Sequence, residues 1–240
     1  MKIGIKAFYD WPFIESLQDK ADFVELMAIE GKDYSFVKNI KIPVVIHATY
    51  TSFGVNPSDS KKEAANVRAI NFAIDLANET NAKKIIVHPG PLENSDCNME
   101  IAENFLKKIK DRRVILENHA DQRDIFLNPS FILPEEIKPV LDKTEKGFCL
   151  DINHAISYAF IEKIDYMDFL KKFLELNPVH FHLGGQRFKP YAEHLDFINS
   201  DIDLKKIFSI LPKDAEITLE VTEDIKKTEK DLDFIRKFLR

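Results

Sequence analysis

The sequence predicts a closed (β/α)8 barrel, and three observations carry that prediction. Eight short apolar runs recur, near residues 3–6, 23–27, 43–47, 84–88, 114–118, 147–152, 178–183 and 216–221. Segments with helical periodicity lie between them. The 240 residues match the roughly 250 typical of a closed barrel, so residues 1–240 are read as one domain. Continuous apolar runs suit strands covered on both faces, and their alternation with helices implies a parallel sheet with right-handed crossovers. An open, doubly wound sheet would usually bring a Gly-rich phosphate turn after its first strand. Here Ile5 is followed by Lys6-Ala7-Phe8-Tyr9-Asp10-Trp11-Pro12, which argues against dinucleotide binding and for closure.

In chain order, the third and fourth runs end in His47 and His88. Between them, Glu63 to Glu79 is expected to be a helix with Ala64, Val67, Ala69, Ile70, Ala73, Ile74 and Ala77 as its apolar stripe, capped by Ser58 or Ser60. Met99 to Ile109 repeats that periodicity. Val114-Ile115-Leu116-Glu117 follows, and Asp121 to Ser130 reads as a long loop at the barrel lip. Pro134 starts or interrupts a helix before Pro139. Gly147 to Ala155 is a short apolar run that ends in Asp151, with His154 three residues later. Helices are expected over Asp165 to Leu176, Ile202 to Leu211 and Ile225 to Leu239, separated by the runs that end in His182 and Glu220.

Composition bounds the function. The hydrophobic content of 45% and charged content of 31% are ordinary for a globular protein, and no stretch approaches the roughly 20 apolar residues of a membrane span. Met1 and Lys2 lead directly into the first strand, so a cytoplasmic protein without a signal peptide or membrane partner is expected. The two cysteines, Cys97 and Cys149, make no disulfide framework, and Cys149 reads as a small buried thiol. A net charge of -6 makes nucleic acid the less expected partner. The basic residues from Lys226 to Arg240 are interleaved with acids, as on a solvated helix face.

Six runs ending in His47, His88, Glu117, Asp151, His182 and Glu220 form a constellation, because the C-terminal strand ends of a barrel converge on one face. A carboxylate in an apolar strand costs several kcal/mol unless it is paired or binds a cation. Lys and Arg are scarce in these strands, so a metal is the economical explanation; rim hydrogen bonds are the alternative. Glu117, Asp151, Glu220 and His182 make an oxygen-rich set suited to Mn, Mg, Co or Zn. One divalent ion among three carboxylates leaves about -1, which suits a neutral polyol. Further ions at His47 with His88 and at His154 with His194 would make the cup positive. His180, deeper in its strand, reads as a hydrogen-bonded core residue, and His119 is near the rim, facing substrate or another ligand.

His47-Ala48-Thr49-Tyr50 with Asn56-Pro57, Val87-His88-Pro89-Gly90, Leu116-Glu117-Asn118-His119-Ala120, Cys149 to Ala155, His182-Leu183, Leu219-Glu220 and Val24-Glu25-Leu26 resemble the strand-end motifs of the xylose isomerase-like TIM barrels. Their order and spacing cover most of the chain. The resemblance to sugar 3-epimerases implies one metal on Glu117, Asp151, His182 and Glu220. It makes Glu117 and Glu220 the acid/base pair and puts His154 and Arg187 on the substrate oxygens; His119 and Glu25 are further substrate-binding candidates. The resemblance to endonuclease IV implies more metals: His47 and His88 with bridging Glu117, then Glu117, Asp151, His182 and Glu220, then His154 and His194. Ala192 stands where that family has a metal-binding Asp, and Gly184-Gly185-Gln186-Arg187 replaces another of its motifs.

The leading expectation is thus a divalent-metal-dependent sugar or polyol isomerase/epimerase working by carboxylate-mediated proton transfer, with one or two ions per chain. An endonuclease IV-like phosphodiesterase is the alternative. An inert ligand-binding barrel is the third class. Oligomeric state is not legible.

Overall fold

The computed structural model describes residues 1–120 and 130–239; the lip loop expected over Asp121 to Ser130 lies, apart from Ser130, outside the described residues. Eight parallel strands form a closed barrel: β1 (Lys2–Ala7), β2 (Phe23–Ala28), β3 (Val44–Ala48), β4 (Ile85–Val87), β5 (Val114–Glu117), β6 (Gly147–Asp151), β7 (His180–Leu183) and β10 (Glu216–Leu219). Around the barrel they follow chain order, and β10 closes the ring between β7 and β1. The expected barrel is present, and its eight strands overlap the eight apolar runs. Two further strands, β8 (Gly185–Phe188) and β9 (Tyr191–Leu195), form an antiparallel hairpin after β7.

The helices among the described residues are α1 (Trp11–Leu17), α2 (Glu63–Glu79), α3 (Met99–Lys108), α4 (Pro134–Thr144), α5 (Ile152–Glu162), α6 (Tyr166–Leu174), α7 (Leu204–Ile210) and α8 (Ile225–Arg236). None is long and apolar enough to cross a membrane. Two are not among the helices expected from periodicity. The α1 helix is set by Asp10, whose carboxylate accepts the Phe13 N–H at 3.2 Å, and by Pro12 in the first turn. The α5 helix starts directly at the end of β6, so His154 belongs to a helix and not to a strand exit.

The face of α2 also differs from expectation. Asn66, Ala69, Ile70, Ala73, Leu76 and Ala77 are buried, whereas Ala64 and Val67 are exposed. Neither serine caps it. Asp59 caps the preceding 3-10 turn, and the Ser58 hydroxyl instead reaches the carbonyls of Pro89 at 3.0 Å and Gly90 at 2.8 Å. At the C-terminus α8 stops at Arg236, and Ile225 and Phe238 are exposed, contrary to the expected stripe.

Side chains alternate along each strand, so every second residue enters the barrel. Phe23, Val45, Ile86, Ile115 and Cys149 form the apolar interior plug, while a larger core packs the outer strand faces against the helices. Burial pushes the Cys149 thiol up to about 12, so it behaves as an apolar filler. A Cβ at Gly4 would come within 2.2 Å of the Phe23 ring; glycine there makes the room that this ring fills. Below the plug, Glu216 accepts from Lys2 at 2.8 Å and Lys84 at 2.7 Å. Two residues above it on the same inward rows stand Glu25, His47, His88, Glu117 and Asp151. The strand period puts all five on inward rows, and His47, His88, Glu117 and Asp151 form the upper layer, while Glu25 pairs with Val45 at the height of the plug.

Candidate metal centre

Glu117, 1% exposed, occupies the middle of that layer. Its Oε2 lies 3.2 Å from His47 Nε2 and 3.0 Å from His88 Nε2, and its Oε1 lies 3.2 Å from His182 Nδ1. His182 Nδ1 is also 3.0 Å from Glu220 Oε1 and 3.8 Å from Asp151 Oδ2. Two donor sets therefore share one carboxylate. Potential ligand atoms of His47, His88 and Glu117 lie within 4.8 Å of one another, as do those of Glu117, Asp151, His182 and Glu220.

The surrounding hydrogen bonds orient the donors. His47 Nδ1 donates to the Ala48 carbonyl at 2.7 Å, which leaves its Nε2 with its lone pair, and His154 Nδ1 donates to the Asn118 carbonyl at 2.8 Å. Asp151 caps α5 by accepting the His154 N–H on Oδ1 at 2.8 Å, while its buried Oδ2 has no hydrogen-bond partner. A buried, unpartnered carboxylate oxygen beside two further carboxylates fits a divalent cation. Burial pushes the Asp151 carboxyl up, assisted by Glu220 and Glu117 and opposed by His154. Burial acts the same way on Glu117 and Glu220, but His88 and His182 in one case and Lys6 and His182 in the other outweigh it. Both are held well below the usual carboxylate range.

Sequence reasoning missed Lys6. Its ammonium hydrogen-bonds Glu220 Oε1 and lies 3.5 Å from Glu25 Oε1. Burial alone would lower the lysine pKa, yet the Glu220, Glu25 and Glu117 carboxylates raise it. A signal for it exists, because the first apolar run also ends in a charged side chain; a search for acids and histidines passes over it.

A cavity of about 510 Å³ opens above the layer, lined by Lys6, Tyr50, His88, Glu117, His154, His194 and Glu220 among others. Tyr50 stacks on His88 with ring centroids 5.1 Å apart. His119 also lines the cavity; its ring is buried, edge-on to His88, and burial followed by the charges of His88 and His154 holds it well below the usual histidine range. The hairpin brings Glu193 and His194 to the wall, with the His154 and His194 rings 6.2 Å apart. Glu193 accepts from Ser157 at 2.8 Å and Tyr191 at 3.0 Å.

Two residues expected at the substrate are not part of the cavity lining. Glu25 is fully buried beneath the cavity, where Oε2 accepts from Thr218 at 2.7 Å and lies 2.9 Å from His182 Nε2 and 3.3 Å from His180 Nε2. It supports His182 from below. Arg187 is on β8 outside the cavity lining, its Nε donating to the Pro190 carbonyl at 3.3 Å. His180, read as a core residue, is buried between Glu25 and Thr218.

The protein MJ1311 of Methanocaldococcus jannaschii is 23% identical over 237 residues, covering 88% of this chain and 78% of that protein. Apurinic-apyrimidinic endonuclease 1 of Plasmodium berghei is 28% identical over 183 residues, covering 71% of this chain and 33% of that longer protein. Among solved structures, a D-tagatose 3-epimerase-like protein superposes with a TM-score of 0.69 at 22% identity, covering 100% of this chain and 97% of that one. Endonuclease IV from Thermus thermophilus superposes with a TM-score of 0.73 at 20% identity, covering 100% and 99%. A sequence profile matches residues 13–238, and with this architecture it establishes that the chain belongs to the xylose isomerase-like TIM barrel family.

Proposed function

We propose that the protein is a metal-dependent phosphoesterase whose centre is built for two divalent ions sharing Glu117. The observation that carries this reading is the division of labour within one carboxylate: Oε2 faces His47 and His88, while Oε1 faces His182. A proton-transferring isomerase needs only the second set. His47 and His88 would hold one ion with Glu117; Asp151, His182 and Glu220 would hold the other. Mixed imidazole and carboxylate donors favour Zn, Mn or Co over Mg. Ions bound there supply positive charge that polarises a phosphoryl oxygen and acidifies a water.

The chain's own residues complete the site. Lys6 adds a positive charge beside the carboxylates, shifting the cup toward an anionic substrate. His154 and His194 lie where they would meet substrate oxygens, and Tyr50, stacked on His88, walls one side. The Plasmodium relative and the endonuclease IV fold support a phosphodiester, with abasic DNA the first substrate to try. Elemental analysis after dialysis, paired with assays on abasic-site DNA and an aryl phosphodiester, tests the proposal. Two ions per chain with metal-dependent hydrolysis are expected; a single ion with no hydrolysis of either substrate would sink it.

The sugar isomerase or epimerase is the second reading, and Ala192 favours it. Without an acid there, the wall contributes His154 and His194 as hydrogen-bonding groups for hydroxyls, and Glu117 and Glu220 both line the cavity as a proton-transfer pair. Incorporation of solvent deuterium into a ketose, lost in Glu220→Gln, would identify that chemistry.

A further inference from the structure

We infer that Lys6 is a built-in counter-cation of the metal centre: in the metal-free barrel its ammonium takes the charge-balancing place of a divalent ion, and ion binding must displace it from Glu220. The inference rests on the metal-centre reading above and concerns a residue outside both donor sets.

Lys6 enters the barrel two residues after Gly4 on the inward face of β1. Its side chain is 11% exposed, and its ammonium hydrogen-bonds Glu220 Oε1, the same oxygen that stands 3.0 Å from His182 Nδ1. Its second anionic neighbour is Glu25 Oε1, a buried oxygen without a hydrogen-bond partner. Among the described residues Lys6 is the single Lys or Arg in the cavity lining.

Buried Glu25, Glu117 and Asp151, with Glu220 at the cavity edge, form a carboxylate cluster whose self-repulsion needs a cation. Lys6 supplies one charge where a divalent ion supplies two. A cation arriving at Glu220 meets an oxygen already engaged and a like charge beside it. The lysine therefore stabilises the metal-free protein and weakens metal binding at the same time. These opposite signs separate the idea from a purely structural role, in which losing the lysine would weaken both.

The test uses the full chain with Lys6→Met and Lys6→Gln, the second keeping a hydrogen-bond donor toward Glu220. Melting of the metal-free proteins and titration with Mn2+ alone are the readouts. Both variants are expected to melt several degrees lower without metal and to bind Mn2+ roughly tenfold more tightly or better. Binding by the variants but not by the unsubstituted protein would be the extreme form of the same result. Unchanged or weaker Mn2+ binding in the variants overturns the inference, whatever the melting shows. Absence of binding in all three proteins removes the metal centre itself, and the role of Lys6 with it.

Discussion

Asn118 holds the main chain of Asp151 at both ends: its Oδ1 accepts the Asp151 N–H at 2.7 Å, and its Nδ2 donates to the Asp151 carbonyl at 3.0 Å. The carboxamide follows Glu117, so one clamp fixes the relative height of two acids on neighbouring strands. Asn118→Ala removes no donor from either candidate ligand set, yet it frees Asp151 to shift. Divalent-ion affinity should fall about 10-fold to 100-fold, the range seen when residues that orient ligands are lost. Mn2+ titration checks it, and unchanged affinity would mean that the strands alone set the geometry.

Asp151→Asn tests the ligand directly. The substitution keeps the α5 cap, because the carboxamide oxygen can still accept the His154 N–H, but it replaces the unpartnered carboxylate oxygen with an amide. The barrel should remain folded by circular dichroism while metal content after dialysis drops. Unaltered content would remove Asp151 from the donor set.

Glu216 at the other end of the barrel supports a pH prediction independent of metal. Burial works to raise its carboxyl pKa, but Lys2 and Lys84 overcome this and bring it from 4.5 to about 2. A depressed carboxyl stabilises the fold above its unfolded pKa and loses that contribution as pH falls from 4.5 toward 2. Glu216→Gln should cost about 1–2 kcal/mol at pH 7, allowing for partial exposure. Urea denaturation at pH 7 and pH 3 should show the gap between the two proteins narrowing in acid; a constant gap would assign the loss to packing.

Gly184 offers a steric test. A Cβ there would stand 2.4 Å from the Glu220 backbone oxygen and 3.1 Å from His194 Cα. Gly184→Ala must push β10 and the β8–β9 hairpin apart, displacing Glu220 and His194 together. Thermal stability should fall by about 1–3 kcal/mol, and metal binding should weaken in the same variant. Wild-type behaviour in both assays would show that the corner yields at little cost.

How far the sequence was legible follows from the physics of each element. The barrel strands are buried on both faces, so continuous apolar runs announced them, and the two-residue period brought Glu117, Asp151, His182 and Glu220 together. The β8–β9 hairpin has no such signature. Gly185 to Leu195 is mostly polar and half-buried, held partly by long-range bonds such as Gln186 N–H to Ser200 Oγ at 3.0 Å and Phe188 N–H to Asp201 at 2.8 Å. The start of α5 was hidden because Asp151 is both the last residue of a strand and the cap of a helix. The placement of Glu25 below the cavity was not legible either, since strand period fixes the face a residue shares and not its height among interior layers.

The pairing of β1 with β10 has a consequence for how the molecule assembles. Lys6 and Glu220 meet across 214 positions of sequence, so this ion pair forms only when the last strand docks against the first. Until then β1 and β7 each present an unpaired edge, and His182, set between Glu25 and Glu117, lacks Glu220 to complete the charge pattern. Long-range pairings of this kind are slow to form, and open edges invite strand addition from other chains. Barrel closure and completion of the polar interior are thus expected to be a single late event. In refolding, any metal affinity should appear together with loss of edge-dependent aggregation, with no folded barrel accumulating beforehand that lacks its polar layer.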